Sequence, residues 1–338
     1  MPYQKSKPYF KLFASCIPVK GAKRSTICDV DRGDVQPIPN DLYDILIDYK
    51  NKKLEDIIAD YGEELRGDIM EYFTFLENSE FGFWCNEPEC YPDLELTWDA
   101  PCIISNAIID VNEESNHDYS KIIKQLSDLG CRALQVRCYC SPPVKQLIEI
   151  GHLTNHTTLR SLEFFVKYSD DYTLEACKEI LDAGVTMSLL IHSSPSTNSH
   201  YLPAGMHISY IEKKLDSSAH CGIINTGYHI SNIDVFTEAQ QHNTCLNRKV
   251  SIDVNGDIKN CPSMTHSFGN ISNTTLSKII DEEEFRSKWF IKKDQISVCK
   301  DCEFRYVCSD CRAYLQNPDD EYSKPLKCSY NPYTATWD

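Results

Sequence analysis

The sequence contains no apolar run of the length that crosses a membrane. None of its stretches approaches the roughly 18 consecutive apolar residues of a membrane-spanning helix. The first twenty residues, MPYQKSKPYFKLFASCIPVK, contain lysines throughout and lack the apolar core that a signal peptide needs. We therefore expect neither a membrane span nor an export signal, and we predict a cytoplasmic protein.

Positive charge is also scarce. The chain has 34 Lys and Arg residues against 50 Asp and Glu residues, which gives a formal net charge of −16. Nucleic-acid binding needs clustered Lys and Arg to neutralise phosphates, so we expect no nucleic-acid partner. A glycine-rich loop for phosphates is missing as well, so any ATP chemistry must come from a partner protein. Residues 1–95 are especially acidic, with 11 basic and 19 acidic residues, a net charge of 11 − 19 = −8.

Cysteine, in contrast, is abundant. The chain has 17 cysteines, an odd number, and in a reducing compartment this richness indicates metal ligands or reactive thiols rather than disulfides. We interpret the ten cysteines up to Cys221 as small buried apolar residues. The other seven all follow residue 244, and they are Cys245, Cys261, Cys299, Cys302, Cys308, Cys311 and Cys328.

The spacing of these seven cysteines indicates metal binding. Thiolates two residues apart on a tight turn can hold one metal centre, and more distant thiolates complete it. The stretch VNGDIKNC predicts a hairpin, with Asn255-Gly256 supplying the positive φ angles of a primed turn, which would bring Cys245 and Cys261 together. Zinc with four thiolates per ion and iron–sulfur cubanes with four thiolates each are both compatible with the pattern.

The arrangement C-x10-G-x4-C, C-x2-C-x5-C-x2-C and a final C resembles the SPASM domain, which binds two auxiliary 4Fe–4S clusters in enzymes that modify peptides. The resemblance implies that Cys245, Cys261 and Cys311 serve the first cluster, with an open site. It implies that the second cluster is held by Cys299, Cys302, Cys308 and Cys328. The family usually has three residues between its third and fourth clustered cysteines, whereas this chain has only Ser309 and Asp310. That departure affects the assignment of Cys311 to the first cluster, because it changes the spacing of Cys311 from Cys308. We predict an iron–sulfur SPASM domain over residues 245–338.

Residues 96–244 alternate apolar strands with amphipathic helices. The run CIISNAIIDV, residues 102–111, is typical of a buried parallel strand, and DYSKIIKQLSDLG, residues 118–130, places its apolar residues on one helical face. Further strands are predicted to begin near residues 132, 161 and 185. Because about 140 residues are too few for eight βα units, we predict an α/β protein with a partial (β/α) barrel. Such a barrel resembles the radical S-adenosylmethionine fold.

Enzymes of that superfamily place the motif C-x3-C-x2-C in the loop after the first strand, where it holds the cluster that binds the cofactor. The corresponding loop here, VNEESNHD at residues 111–118, has no cysteine, and the motif occurs nowhere in the chain. The nearest grouping, Cys131, Cys138 and Cys140, has a different spacing. We therefore expect a degenerate barrel that does not cleave S-adenosylmethionine.

Four polar residues of the barrel are further candidates. Asp110 and Glu113 follow the first strand and could face the barrel mouth, although a surface loop explains them equally well. His192 and His200 flank the segment SSPSTNS, for which a solvated loop is the simpler explanation.

Residues 1–95 predict three short strands followed by three helices and a closing strand, FGFWC. This order resembles the winged-helix domain of PqqD type that binds leader peptides, in which the leader adds as a strand to a sheet edge beside a helical groove. The resemblance implies a peptide-binding region at Val35, Gln36 and Ile38, beside Ile69, Phe73 and Leu76. A DNA-binding winged helix is the alternative, and the net charge of this segment disfavours it.

Together, the three parts resemble the SPASM-domain peptide maturase of grasp-with-spasm cassettes, and FKLFASCIPVKGAKRSTICDVDR looks like the start of that group. The resemblance implies two partners, a precursor peptide with a leader and an ATP-grasp peptide ligase. We predict a leader-binding, cluster-carrying protein of peptide maturation. A catalytically active iron–sulfur enzyme that modifies peptides is one alternative, and a zinc-binding peptide adaptor is the other. The catalytic residues of such an enzyme are not indicated by the sequence.

Overall fold

The computed structural model describes residues 7–337. Residues 1–6 and Asp338, at the outer ends of the first and last predicted domains, lie outside the described residues. The helices are α1 (Asn40–Asp48), α2 (Leu54–Tyr61), α3 (Arg66–Asn78), α4 (Tyr119–Asp128), α5 (Val144–Leu153), α6 (Leu174–Leu181), α7 (Ile233–Gln241), α8 (Leu276–Ile280) and α9 (Glu283–Ser287). The strands are β1 (Tyr9–Leu12), β2 (Cys16–Val19), β3 (Ser25–Asp29), β4 (Asp34–Ile38), β5 (Gly82–Cys85), β6 (Asn106–Val111), β7 (Ala133–Cys138), β8 (Ser161–Lys167), β9 (Thr186–His192), β10 (Asn198–Tyr201), β11 (His207–Tyr210), β12 (Lys249–Ile252), β13 (Ile258–Lys259), β14 (Tyr330–Asn331) and β15 (Thr336–Trp337).

These elements form two compact units. We call the first the terminal unit, because it contains the described residues up to 98, residues 224–244 and residues from 291 onward. The second, the sheet unit, contains residues 99–223 and 245–290. This division differs from the predicted domains, because residues 224–244 separate from the barrel segment and residues 245–290 join it. The predicted SPASM segment is therefore shared between the two units.

In the terminal unit, three antiparallel strands in the order β2-β3-β4 are followed by the helices α1, α2 and α3. β5 pairs with β1 as a separate antiparallel ribbon. The three helices and the closing strand follow the first strands in the predicted order. One detail differs: four strands precede α1 rather than three, because the Cys16 N–H donates to the Phe13 carbonyl at 2.9 Å and closes a turn between β1 and β2.

The helices of this unit pack their apolar faces on the strands. Ile27 of β3, Leu42 of α1, Leu54 of α2 and Leu76 of α3 are at most 1% exposed. Burying side chains of this size is the main stabilising contribution to such a small core. A second core region joins the start of the chain to its end, where β3 and β4 lie near Phe304 and Tyr330.

The sheet unit is built on eight strands in the order β10-β11-β9-β8-β7-β6-β12-β13. The strands from β11 to β12 in this order are parallel, and β10 and β13 add antiparallel edges. The four strands predicted near residues 103, 132, 161 and 185 are present as β6 to β9. The helices α4, α5 and α6 connect them, as βα units require.

The core of the sheet unit contains fully buried apolar residues from successive strands and from the covering helices. Ile109, Val136, Phe164 and Leu189 are 0% exposed on β6 to β9. These four residues lie opposite one another in the strand register and therefore form one face of the sheet. The opposite face carries polar residues such as Gln135, Glu163 and Ser188. In residues 7–337, no helix has the length and apolar character needed to cross a bilayer.

Candidate metal centre

Four of the seven late cysteines line one cavity in the terminal unit. They are the predicted ligands of the second cluster, Cys299, Cys302, Cys308 and Cys328. Cys299 and Cys308 are each 7% exposed, and the other two are half-buried. The structure therefore brings this predicted set to one place.

Local backbone geometry explains how neighbouring cysteines reach the same cavity. Cys299 begins a short 3-10 turn that ends at Asp301, and the Cys302 N–H donates to the Cys299 carbonyl at 3.0 Å. This turn brings the two cysteines of the C-x2-C pair close together. Cys328 arrives from a distant part of the chain, and its backbone is bridged to Ile224.

Aromatic rings form much of the cavity wall. The Phe304 ring lies 4.8 Å from His229 and 5.2 Å from Tyr330, measured between ring centroids, and Tyr330 lies 4.8 Å from Trp337. The cavity itself has a volume of 20 Å³, about the space of one water molecule. The aromatic wall would keep water away from the thiols.

The charged residues that line this cavity are all basic, namely Lys293, Arg305 and Lys324. Burial raises the pKa of the Cys308 thiol to about 12 and also raises the pKa of Cys299, and Lys293 acts in the opposite direction on both thiols. Without a bound metal these thiols are protonated at neutral pH, so metal binding must release protons. The nearby cations favour the thiolate form that a metal needs.

The donor set fits an iron–sulfur cluster in its chemistry, because a cubane takes one thiolate at each of four irons. Within residues 7–337, no group of three or more His, Cys, Asp or Glu side chains is placed to hold a metal ion directly. The four thiols surround a cavity instead. Zinc with four thiolates remains the alternative that metal analysis must decide.

The three cysteines predicted for the first cluster are divided between the units. Cys245 and Cys261 flank the β12–β13 hairpin in the sheet unit, and Cys311 belongs to the terminal unit. Their joint role stays a prediction. The predicted hairpin is present, but the turn differs: Gly256 has a φ of 86°, whereas Asn255 is not among the residues with positive φ. This pattern is typical of a longer loop that ends in glycine rather than a two-residue primed turn.

Cys245 and Cys261 lie in a polar setting. The Lys249 Nζ atom is 3.6 Å from the Cys245 sulfur. Burial, followed by the Cys245 charge, raises the pKa of Cys261 to about 11, and Cys221 adds a smaller effect of the same sign. Cys221 is exposed, as is Cys90, so these two do not fit the interpretation of the early cysteines as buried apolar residues.

A buried polar group lies at the carboxyl ends of β6 and β7. Asp110 is 2% exposed and accepts from Arg137 Nε at 2.6 Å, from Arg137 Nη2 at 2.8 Å and from the Tyr139 hydroxyl at 2.7 Å. His192 is also buried, and burial lowers its pKa. Asp110 and His192 are therefore parts of the interior, not of solvated loops. Glu113 is exposed and His200 half-buried.

The predicted peptide-binding residues divide into two sets in the structure. Val35 and Gln36 are half-buried on β4, an edge strand that pairs with β3 in the described residues. The other four, Ile38, Ile69, Phe73 and Leu76, are 0–3% exposed and belong to the core. Their part in peptide binding stays a prediction. The accessible groove beside β4 is lined instead by Tyr72 and Phe75, together with Asp68 and Glu71.

Comparison with known proteins supports one part of the prediction directly. Residues 244–303 match the family model of the SPASM iron–sulfur cluster-binding domain. The matched residues include Cys245, Cys261, Cys299 and Cys302, and the other three cysteines follow the matched region. The predicted SPASM region is thereby confirmed for residues 244–303.

The comparison of whole chains found only distant similarity. The chain is similar to Streptococcus suis SuiB bound to S-adenosylmethionine, at 10% identity over 94% of this chain and 99% of SuiB, with a TM-score of 0.30. For SuiB bound to its precursor peptide SuiA, the identity is 10%, the coverage is 90% and 96%, and the TM-score is 0.28. No curated protein matches the chain at a significant level.

Proposed function

We propose that this protein acts in the maturation of a ribosomally made precursor peptide, binding its leader and carrying auxiliary 4Fe–4S clusters, without cleaving S-adenosylmethionine. The observation that carries the proposal is the placement of four thiols around one cavity, two of them within the region that matches an iron–sulfur cluster-binding domain. Cys299, Cys302, Cys308 and Cys328 would hold one cluster. When bound, such a cluster accepts and donates single electrons.

Metal content tests the cluster part of the proposal. Protein purified without oxygen is expected to contain about eight irons per chain if both clusters form, or about four if one forms. Iron and zinc analysis, with electron paramagnetic resonance after reduction, measures this. Stoichiometric zinc with little iron would favour the zinc-binding adaptor instead.

The terminal unit supports leader binding through the edge of β4. A peptide that adds to a sheet edge gains main-chain hydrogen bonds, and neighbouring pockets select its side chains. The β4 edge offers few such bonds as it stands. The Val35 N–H donates to Asp34 Oδ1 at 2.8 Å, Pro37 has no N–H, and the Pro37 carbonyl accepts from Gln36 Nε2 at 3.1 Å. A leader must displace these side chains to pair with the strand.

Side-chain contacts must therefore contribute much of the affinity for the leader. Tyr72 and Phe75 supply apolar contact area in the groove beside β4. Asp41, Asp68 and Glu71 surround Tyr72, and their charges add to burial in raising its pKa. A leader segment that combines apolar and basic residues suits this groove, because its cations would face three carboxylates.

Replacing Tyr72 or Phe75 with alanine is expected to weaken leader binding about tenfold, since buried aromatic anchors dominate such interfaces. Fluorescence anisotropy measures this with a labelled synthetic leader peptide that combines apolar and basic residues. Phe13→Ala is the matched control, because Phe13 is 43% exposed and lines a different apolar groove of the same unit. Loss of binding in Phe13→Ala alone would place the leader in that other groove.

The central sheet supports the absence of S-adenosylmethionine cleavage. The loop after β6 has no cysteine, and the nearest buried thiol, Cys138, has a pKa raised well above its ordinary value by burial. Reconstituted and reduced protein, incubated with S-adenosylmethionine and precursor, is expected to form no 5′-deoxyadenosine. Formation of this product, or a mass change in the precursor without the ATP-grasp ligase, would favour the alternative of an iron–sulfur enzyme.

The ATP-grasp ligase is the partner that would supply ATP chemistry in this proposal. The sequence has no glycine-rich phosphate loop. A pull-down with purified ligase, in the presence and absence of precursor, tests this interaction. We expect the precursor to strengthen it, since the leader would be bound to the terminal unit.

A further inference from the structure

Lys293 is a buried lysine in the cavity of the four thiols. It begins a short 3-10 turn six residues before Cys299, and its side chain is 4% exposed. Its Nζ atom is 3.1 Å from Asp310 Oδ1 and 4.0 Å from the Cys299 sulfur. Lysine is almost never buried to this degree without a partner. The partner here is Asp310, and the open side of the ammonium group faces a thiol.

Asp310 is fixed by several donors. It is 1% exposed at its side chain, and it also accepts from Arg312 Nη2 at 2.8 Å and from Asn243 Nδ2 at 2.6 Å. Its own backbone N–H donates to Thr244 Oγ1 at 3.2 Å. Two cations thus share one carboxylate, which leaves a net positive charge beside the cavity.

The Lys293 ammonium group and the Asp310 carboxylate form a buried ion pair, with 4% and 1% of their side chains exposed. A buried ion pair is seldom better for stability than apolar residues of the same volume. Because burying these charges costs free energy, we infer that the ion pair has a role beyond stability.

We propose that Lys293, held by Asp310, donates to the Cys299 sulfur and raises the reduction potential of the cluster bound by Cys299, Cys302, Cys308 and Cys328. This inference rests on the proposed function, because it needs a cluster at that site. Reduction adds one negative charge to a cluster in an apolar cavity. A fixed positive charge and a hydrogen bond to a ligand sulfur both stabilise the reduced form, and these are the terms that set cluster potentials.

The test uses the full chain, reconstituted without oxygen, in a redox titration followed by electron paramagnetic resonance. Lys293→Met keeps the length of the side chain and removes its charge. We expect it to lower the one-electron equilibrium constant for reducing one cluster at least tenfold, a shift of about 59 mV to more negative potential. The transition of the other cluster should not move. Lys293→Arg, which keeps the charge, should stay near the wild-type potential.

Lys324→Met is the matched control. Lys324 lines the same cavity, but its Nζ atom donates to the Tyr330 carbonyl at 2.7 Å and not to a sulfur. Its replacement should shift the potential less than Lys293→Met does. Equal shifts in both variants would overturn the specific role of Lys293.

The possible failures are distinguishable. If the wild-type protein binds zinc and no iron, the proposed function itself fails. If the wild-type protein and Lys293→Met bind equal iron and have equal potentials, only the present inference fails. If Lys293→Met loses iron, the titration is done with Lys293→Gln instead. Glutamine keeps a hydrogen-bond donor without the charge, so this variant should give an intermediate reduction potential. Loss of iron in the methionine, glutamine and arginine variants together would show a purely architectural role and overturn the inference.

Discussion

Replacing Cys308 with serine is expected to lower the iron content of the protein by about four irons per chain, the content of one cubane. Cys308 is 7% exposed and is one of the four thiols around the cavity. Iron–sulfur clusters are held by thiolates, and a serine hydroxyl at this position would have to lose its proton in a buried site. The three thiols that remain would leave one iron of the cubane without its thiolate ligand. Iron analysis after anaerobic reconstitution measures the loss.

Cys90→Ser is the matched control for this experiment. Cys90 is exposed and lies outside the seven-cysteine set, so its replacement should leave the iron content unchanged. Cys302→Ser and Cys328→Ser should reproduce the loss seen in Cys308→Ser. An iron content equal to wild type in Cys308→Ser would contradict the assignment of this cavity, as would an equal loss in Cys90→Ser.

Replacing Asp110 with asparagine is expected to destabilise the sheet unit by about 3–5 kcal/mol. The change removes the carboxylate that accepts from Arg137 at 2.6 and 2.8 Å, and it leaves a guanidinium group that is 7% exposed without its counter-charge. An unpaired buried charge of this kind is among the most destabilising changes a single substitution makes. Hydrogen exchange of the β6 and β7 amides measures the local effect, which a global unfolding curve of a protein with two units would blur.

Two comparisons make this prediction specific. Tyr139→Phe removes only one hydrogen bond to Asp110, so it should cost about 1 kcal/mol. Glu113→Gln changes an exposed carboxylate three residues away and should leave exchange unchanged. If amide hydrogen exchange in Asp110→Asn matched that of the wild type, water or another group would be compensating the charge of Arg137.

The parts of the fold that the sequence predicts are those with strong local signals. The strands β6 to β9 could be predicted because apolar residues such as Ile109, Val136 and Phe164 recur along them on the buried face of the sheet. The turn from Cys299 to Cys302 forms locally, so the C-x2-C spacing indicates it. The full ligand set of the second cluster was implied by the resemblance to the SPASM domain and stays a prediction. The ion pair of Asp110 could have been predicted once β6 and β7 were placed in register, because Arg137 is then the direct neighbour of Asp110 across the two strands.

Other features depend on contacts between distant segments. α3 has apolar residues on more than one face, so the sequence alone does not tell whether Phe73 or Tyr72 and Phe75 meet the core. The structure buries Phe73 and leaves the other two at the groove. The sharing of the late cysteines between two units has the same origin. β12 pairs with β6, about 140 residues earlier, and no local sequence pattern predicts that pairing.

The terminal unit is closed by contacts between the beginning and the end of the chain. Thr26 Oγ1 donates to the Glu303 carbonyl at 3.0 Å, and Arg24 Nε lies 2.8 Å from Glu303 Oε1. During synthesis, residues near 24 therefore acquire these neighbours only after nearly three hundred later residues have been made, when the whole of the sheet unit has already been synthesised. We therefore expect the amino-terminal segment to complete its core late in synthesis.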